Sequence, residues 1–315
     1  MLTQLPTSTK RVRASLIVLN FNGAEVLGPC IDSLRRALGD NDEIIIVDNA
    51  STDGSEQLVM PDEHVKVLRL PTNTFIFGLN EGLAIANGNY VAFLNNDIVV
   101  EPGFVEACLE RFSDTEDVFA VCARVLDGNG DEQGSRTRGF WKGGLFFYQS
   151  LQHSESPTDC FFAVGGQSFF DRERLIELGS IDPLLHPMYH EDIELSYRAW
   201  KRGWRIRYAP TAIAHHVGSH SSKRVFTPMQ LRSFVRQNEY LIVWKNVTDI
   251  RLLLEHFLLV LPRLLCAVAA RDWATVVGFG RALRRVRSVH AARSRARYHM
   301  KRTDAAVIAE VSSIS

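Results

Sequence analysis

Glu43-Ile-Ile-Ile-Val-Asp48 is an unbroken apolar run closed by a carboxylate, and Asn49-Ala-Ser-Thr-Asp-Gly54 follows at once as a cluster of turn and helix-cap residues. A short, β-branched run bounded this way reads as a strand buried on both faces. The same grammar recurs on either side. Ala14-Ser-Leu-Ile-Val-Leu-Asn20 ends in Asn, Val65–Leu70 is a third strand, and Tyr90-Val-Ala-Phe-Leu94 is a fourth, ending at Asn95-Asn96-Asp97. Between them, Glu25–Leu38 places Val26, Leu27, Ile31, Leu34 and Leu38 at helical spacing. A second helical stretch runs to about Asn87 with Gly88 as its stop, and Pro102 suits the first turn of a third, through Phe112. This alternation predicts an α/β fold whose parallel strands are covered on both faces, with ligands at the strands' carboxyl ends. Asn20, Asp48 and Asp97 each close a strand and therefore crowd one rim.

The chain has 315 residues, 46% hydrophobic and 23% charged, which excludes a disordered chain, a collagen-like repeat and a disulfide-stapled miniprotein. Its five cysteines are scattered, with no C-x-x-C pair, and read as reduced, mostly buried thiols of a cytoplasmic protein. Met1–Ala14 lacks the apolar stretch of a signal peptide. The zero net charge conceals an asymmetry. Residues 1–221 hold 19 basic and 30 acidic side chains, whereas 222–302 hold 17 and 4. This break predicts an acidic body over 1–221 and a basic helical region over 222–315, with a functional boundary between them.

The turn after the first strand reads Asn20-Phe-Asn-Gly23 rather than G-x-G-x-x-G, and no G-x-x-x-x-G-K-[ST] occurs, so neither a dinucleotide oxidoreductase nor a P-loop NTPase is indicated. An acidic body repels a diphosphate unless a cation intervenes. Asn95-x-Asp97 therefore suggests a divalent metal that bridges protein and phosphate oxygens.

The runs Leu16-Ile-Val-Leu-Asn-Phe-Asn-Gly23, Ile44-Ile-Ile-Val-Asp-Asn-Ala-Ser-Thr-Asp-Gly-Ser55 and Tyr90-Val-Ala-Phe-Leu-Asn-Asn-Asp97 resemble the nucleotide-sugar half of a family 2 glycosyltransferase. Val164-Gly-Gly-Gln-Ser-Phe-Phe-Asp-Arg172 resembles the family's acceptor-side strand, and His190-Glu-Asp-Ile-Glu-Leu-Ser-Tyr-Arg-Ala-Trp-Lys-Arg-Gly-Trp204 its Glu-Asp helix. The likeness covers roughly residues 13–245 and is similar to bacterial rhamnosyltransferase-like members. It implies a GT-A fold: a Rossmann-like mixed sheet flanked by helices, here with a C-terminal helical region.

The resemblance also implies roles. Asp48 would accept from the imide of uracil or thymine, with Asn20 and Asn22 near the base. Asn80, Asn95 and Asn96 would line the nucleotide-sugar site. Asp97 would hold Mg²⁺ or Mn²⁺ with the diphosphate, and His216 would complete the metal shell. The doublet leaves His215 open as the ligand, since neighbouring strand residues face opposite ways. Asp192 would be the general base, beside Glu191. In the helix's first turn its positive end is expected to favour their ionised forms. Many relatives have glycine two residues after the position of Asn73; Phe75 stands there instead.

The implied reaction is an inverting transfer of rhamnose or another hexose from a dTDP- or UDP-sugar to a glycan or lipid-linked acceptor. A sugar nucleotidyltransferase and a non-catalytic glycan-binding or scaffold protein on the same fold are the alternatives. Leu252–Ala270 is strongly apolar but interrupted by Glu255, His256, Pro262 and Arg263, and 281–302 carries nine Lys/Arg and no acid. That pattern predicts helices on an anionic inner membrane surface or packed on the body, rather than a spanning helix. A nucleic-acid partner ranks lower because the acidic body would repel it. A homo-oligomer stays open.

Overall fold

The computed structural model describes residues 12–218 and 225–315. The boundary expected at 221/222 lies outside the described residues, as does most of the N-terminal stretch read for a signal. Five strands of the first hundred residues are β1 (Ala14–Asn20), β2 (Asp42–Asp48), β3 (Val65–Arg69), β4 (Tyr90–Asn95) and the short β5 (Ile98–Val100). The body adds β6 (Val118–Leu126), the hairpin strands β7 (Thr137–Lys142) and β8 (Leu145–Ser150), β9 (Gln167–Asp171) and β10 (Arg205–His216). Eight strands form one sheet in the order β3-β2-β1-β4-β9-β6-β10-β5, and β7 pairs with β8 apart from it.

β1 to β4 are parallel, as their alternation with helices requires. The sheet then turns mixed. β9 runs antiparallel to both β4 and β6, because the chain reaches it from the hairpin and loop rather than over a crossover helix. β10 lies parallel to β6 and antiparallel to β5. The register pairs Asn20 with Asp48 and Leu19 with Asn95, which fixes the strand ends on one rim.

Alternate residues of each strand feed opposite cores. Leu16, Val18, Ile44, Ile46, Ala92 and Leu94 pack beneath α1 (Leu27–Ala37) and α3 (Phe104–Glu110). Ile17, Ile45, Val47, Val91 and Phe93 face the other side, with α2 (Gly78–Ile85) and α5 (Glu191–Arg202). Ile193, Tyr197 and Trp200, the apolar stripe expected on α5, are all buried there. A short α4 (Arg172–Leu178) joins β9 to the approach to α5. Four of the five cysteines are buried, Cys266 is exposed, and none is bridged.

The C-terminal helices are α6 (Pro228–Asn246), α7 (Ile250–Ala269), α8 (Trp273–Leu283), α9 (Val286–His299) and α10 (Asp304–Ser312). A Thr227/Gln230 capping box starts α6 and Asp249 caps α7. Tyr240, Leu241, Ala282, Val289, Val307 and Val311 join the same apolar cluster as α5. The joint is also polar. Glu194 accepts from Arg198, Lys245 and Asn246, and Asp304 accepts from Tyr197, Lys201 and Thr248. α7 is long and apolar enough to cross a membrane by length and composition alone.

Candidate active site

The rim predicted from the strand ends is a network. Asn20, fully buried at the end of β1, donates through Nδ2 to Asp48 Oδ1 at 3.0 Å and Ser55 Oγ at 2.9 Å, and its Oδ1 accepts from Asn96 Nδ2 at 2.8 Å. One amide thus ties the ends of β1, β2 and β4 together. Asn22 sits in the left-handed region (φ 50°), its Oδ1 accepting from Thr52 N at 2.8 Å. Asn49 donates to Asn73 Oδ1 and to the Phe75 carbonyl, both at 2.9 Å, and accepts from Thr74 N. Phe75 itself has a left-handed φ of 55°, which glycine would adopt without strain. The expected glycine is therefore replaced by a residue in a glycine conformation, held by Asn49.

These groups border a cavity of about 420 Å³ at the carboxyl ends of the strands, lined among others by Asn49, Asn95, Asn96, Asp97, Glu191 and His216. Asn20, Asn22 and Asp48 stand behind or beside that lining. Asn80 does not line the cavity: its amide donates to the Ile181 carbonyl at 2.9 Å and accepts from Ile181 N. Gly166 (φ 79°) lies so close to Asn95 that a Cβ there would meet the amide at 2.3 Å.

β10 presents its two histidines to opposite sides. His215 Nε2 meets Glu101 Oε1 at 2.9 Å, whereas His216 Nε2 meets Asp97 Oδ1 at 3.2 Å on the cavity wall. Gln133 Oε1, at 2.8 Å, accepts from His216 Nδ1, which leaves Nε2 as the nitrogen turned toward the carboxylate. Pairing with Asp97 raises the His216 pKa. A cation, proton or metal, belongs between these two atoms. Donors about 3 Å apart suit neighbouring corners of an octahedron with bonds of ~2.1 Å, so the pair fits Mg²⁺ or Mn²⁺. No cluster of three or more such side chains occurs among the described residues. A metal held by this pair would need its other ligands from phosphate oxygens and water.

Across the cavity, α5 begins under strain. Tyr189 and His190 are both left-handed (φ 75° and 63°), at a cost of roughly 1–3 kcal/mol each. Asn238 of α6 offsets it, its Nδ2 lying within bonding distance of the carbonyls of Leu185, Met188 and Tyr189, while Gln237 donates to the His186 carbonyl. The turn aims Glu191 into the cavity. Asp192 lies in an adjoining crevice that shares Glu191 and Ile76 with the cavity wall. Its Oδ1 accepts from Ile193 N at 2.8 Å and its Oδ2 from Gly165 N at 3.2 Å.

The helix end does not keep these carboxyls acidic. Burial pushes Glu191 up to about 8, with the neighbouring Asp192 charge adding to it, and burial raises Asp192 as well. Desolvation outweighs the helix dipole here because Glu191 Oε2 is buried with no hydrogen-bond partner among the described residues. Both carboxyls are therefore held above their ordinary values and titrate as an interacting pair.

Gln133, Gly165, Gln237 and Asn238 were not legible as site residues. Only Asn238 left a trace, as an amide on the apolar side of a helical pattern.

The chain matches the model of Glycosyl transferase family 2 over residues 15–179, more than half of its length. It is 29% identical over 212 residues to polypeptide N-acetylgalactosaminyltransferase 3 of Drosophila melanogaster, covering 58% of this chain and 31% of that protein. It is 32% identical over 112 residues to the putative glycosyltransferase EpsH of Bacillus subtilis, 34% of this chain and 32% of that one. The chain thus spans about a third of the length of these curated relatives. Among solved structures it resembles Staphylococcus aureus TarS 1–349 (TM-score 0.59, 14% identity, 96% of this chain and 90% of that one). It also resembles GalNAc-T7 with UDP, GalNAc and Mn²⁺ (TM-score 0.62, 20% identity, 76% and 49%). Both share the fold, which is of the GT-A type. By its sequence the chain belongs to glycosyl transferase family 2.

Proposed function

We propose that the protein is an inverting glycosyltransferase that moves a hexose, rhamnose among the candidates, from a dTDP- or UDP-sugar to a hydroxyl of a glycan or lipid-linked acceptor. The observation that carries this reading is that the Asp97–His216 pair and Glu191 line one cavity, with Asp192 in the crevice that adjoins it at Glu191 and Ile76. The nucleoside would lie along the Asn20–Asp48–Asn49 edge, with the sugar toward Glu191. Asn20 and Asn96 act here by holding the strand ends rather than by contact with the base.

Asp97 and His216 would hold Mg²⁺ or Mn²⁺, which when bound neutralises charge on the departing diphosphate. Neutral imidazole beside one carboxylate suits Mn²⁺ better than Mg²⁺. Asp192 takes the proton of the acceptor hydroxyl as its oxygen bonds to the anomeric carbon. The bond from that carbon to the diphosphate oxygen breaks, and the nucleoside diphosphate leaves with the electron pair. One displacement inverts the anomeric centre. General-base help of this kind is worth ~10²–10⁴-fold. Glu191, protonated at neutral pH, keeps a second negative charge away from the diphosphate.

The test is transfer and donor hydrolysis with Mn²⁺, read as release of nucleoside diphosphate rather than pyrophosphate. Asp192→Asn should lose at least ~100-fold in transfer while retaining nucleotide affinity. Full activity in that variant sinks the assignment, and pyrophosphate release would favour a nucleotidyltransferase. The inner face of a membrane is the proposed workplace, supported by the basic run 281–302. Part of that run is occupied internally: Arg285 donates to the Leu184 carbonyl, Arg293 to that of Trp244, and Arg302 pairs with Glu310.

A further inference from the structure

Among the described residues, nothing covers one face of α7. Leu254, Phe257, Leu258, Leu261, Leu265 and Val268 are all exposed, Leu258 at 73%. They recur at i, i+3/i+4 spacing as a single apolar stripe, whereas monomeric proteins rarely leave so continuous a patch open. The exposed charges along these helices are of one sign: Arg251 and Arg271 stand at the two ends, with exposed Trp273 just beyond, and Arg284 and Arg287 follow α8 beside exposed Leu283 and Val286. Of the nearby acids, Glu255 is engaged by the hairpin, accepting from Trp141 Nε1 at 2.8 Å and from Gly144 N at 3.0 Å, while the partly exposed Asp249 and Asp272 accept from Arg251 N and Thr275 Oγ1.

We propose that this face of α7 seats on an anionic lipid bilayer, lying in its interface. An apolar stripe edged by arginines and a tryptophan is complementary to acyl chains beneath acidic headgroups. A second copy of the chain would instead bring like charges together.

The opposite side of α7 is bolted to the β7–β8 hairpin. Besides the two bonds to Glu255, His256 Nδ1 lies 2.7 Å from the Gly144 carbonyl oxygen and Arg263 donates to that of Gly143. Gly144 (φ 79°) has no room for a Cβ, which would meet His256 Cα at 2.7 Å. Four residues on, Tyr148 packs edge-on against Phe162, close enough to Asp192 to feel its charge. That span is ~13 Å of strand. The bilayer contact and the acceptor side of the base thus sit on one rigid hairpin. This last link rests on the proposed reaction; the docking itself does not.

The experiment is flotation of the full chain with vesicles of phosphatidylcholine and phosphatidylglycerol at 3:1, against phosphatidylcholine alone. The wild type should float with the anionic vesicles and at least tenfold less with the neutral ones. The quadruple variant Leu254→Ser/Leu258→Ser/Leu261→Ser/Leu265→Ser should lose at least tenfold of that partition, and Arg284→Glu/Arg287→Glu should lose it while leaving the stripe intact. Unchanged Mn²⁺-dependent nucleotide binding in each variant shows that it folds, and tests the catalytic reading separately. Wild-type protein that stays at the bottom of the anionic gradient overturns the proposal. So does a wild-type dimer that the quadruple variant converts to monomer, which would assign the face to a second copy.

Discussion

Replacing Glu191 by Gln should make the protein more stable as the pH rises. Glu191 Oε2 is buried without a partner among the described residues, beside the Asp192 carboxylate, and its pKa is pushed from 4.5 to about 8. A folded-state pKa above the unfolded one means that the native state holds a proton the unfolded chain has released. Between those values stability falls with pH, its contribution being complete below 4.5 and lost as pH passes through about 8. At 1.36 kcal/mol per pH unit the whole interval is worth about 5 kcal/mol, which water at the cavity mouth reduces to about 3 kcal/mol. Gln keeps the shape and neutrality of the protonated acid and has nothing to ionise. Urea unfolding of both proteins in EDTA at pH 5, 7 and 9 measures the difference. Glu191→Gln should match the wild type within about 1 kcal/mol at pH 5 and exceed it by about 3 kcal/mol at pH 9. A difference that stays flat across this range would refute the picture of a buried acid that keeps its proton to well above the usual carboxyl range.

Asp97→Asn and His216→Ala should each weaken Mn²⁺-dependent UDP binding at least tenfold by calorimetry, with little change in metal-free affinity. Gly166→Ala adds a Cβ 2.3 Å from the Asn95 amide at a left-handed φ of 79°; denaturant unfolding should show a loss of about 2–3 kcal/mol. Lys245→Met leaves Glu194 and Asp182 without their shared ammonium and should cost about 3–5 kcal/mol. The double change with Glu194→Gln should cost less than the two single changes together. Asn238→Ala should lower kcat with little effect on nucleotide affinity, because its three carbonyl partners belong to the turn before the base and not to the donor rim.

Half of the sheet was legible because its strands are buried on both faces. Such strands must be continuous apolar runs, and the polar residue that stops each run is forced to the rim. Asn20, Asp48 and Asp97 converge for that reason alone. β5 and the antiparallel β9 were not legible in the same way. Three residues carry too little pattern to identify a strand, and an antiparallel insertion depends on which edge the returning chain finds. The two histidines illustrate the intermediate case. Alternation along a strand guarantees that one of them faces the rim, but only the pairing of β10 with β5 and β6 settles that it is His216. Asn80 shows the opposite failure, an amide in the expected stretch of chain whose two ends are satisfied by the backbone of Ile181.

The charge break near residue 222 suggested an acidic body with an appended basic region, yet the geometry of the proposed base depends on residues beyond that break. Two consecutive left-handed residues, Tyr189 and His190, set the direction of Glu191 and Asp192, and side chains far along the chain help to hold them. The bonds that do so come from Asn238 and Gln237, nearly fifty residues later. The same helix supplies Lys245 to the buried Glu194, two residues beyond Asp192. A strained turn of this kind persists only where its surroundings over-determine it. The α6 helix is therefore part of the device that aims the carboxylates, and its apolar and amide positions should be as intolerant of change as the rim itself. Local sequence patterns place the proposed metal side of the site, because strand ends are a local property. The base side is set by contacts distant in sequence, so it becomes readable only once the chain has folded back upon itself.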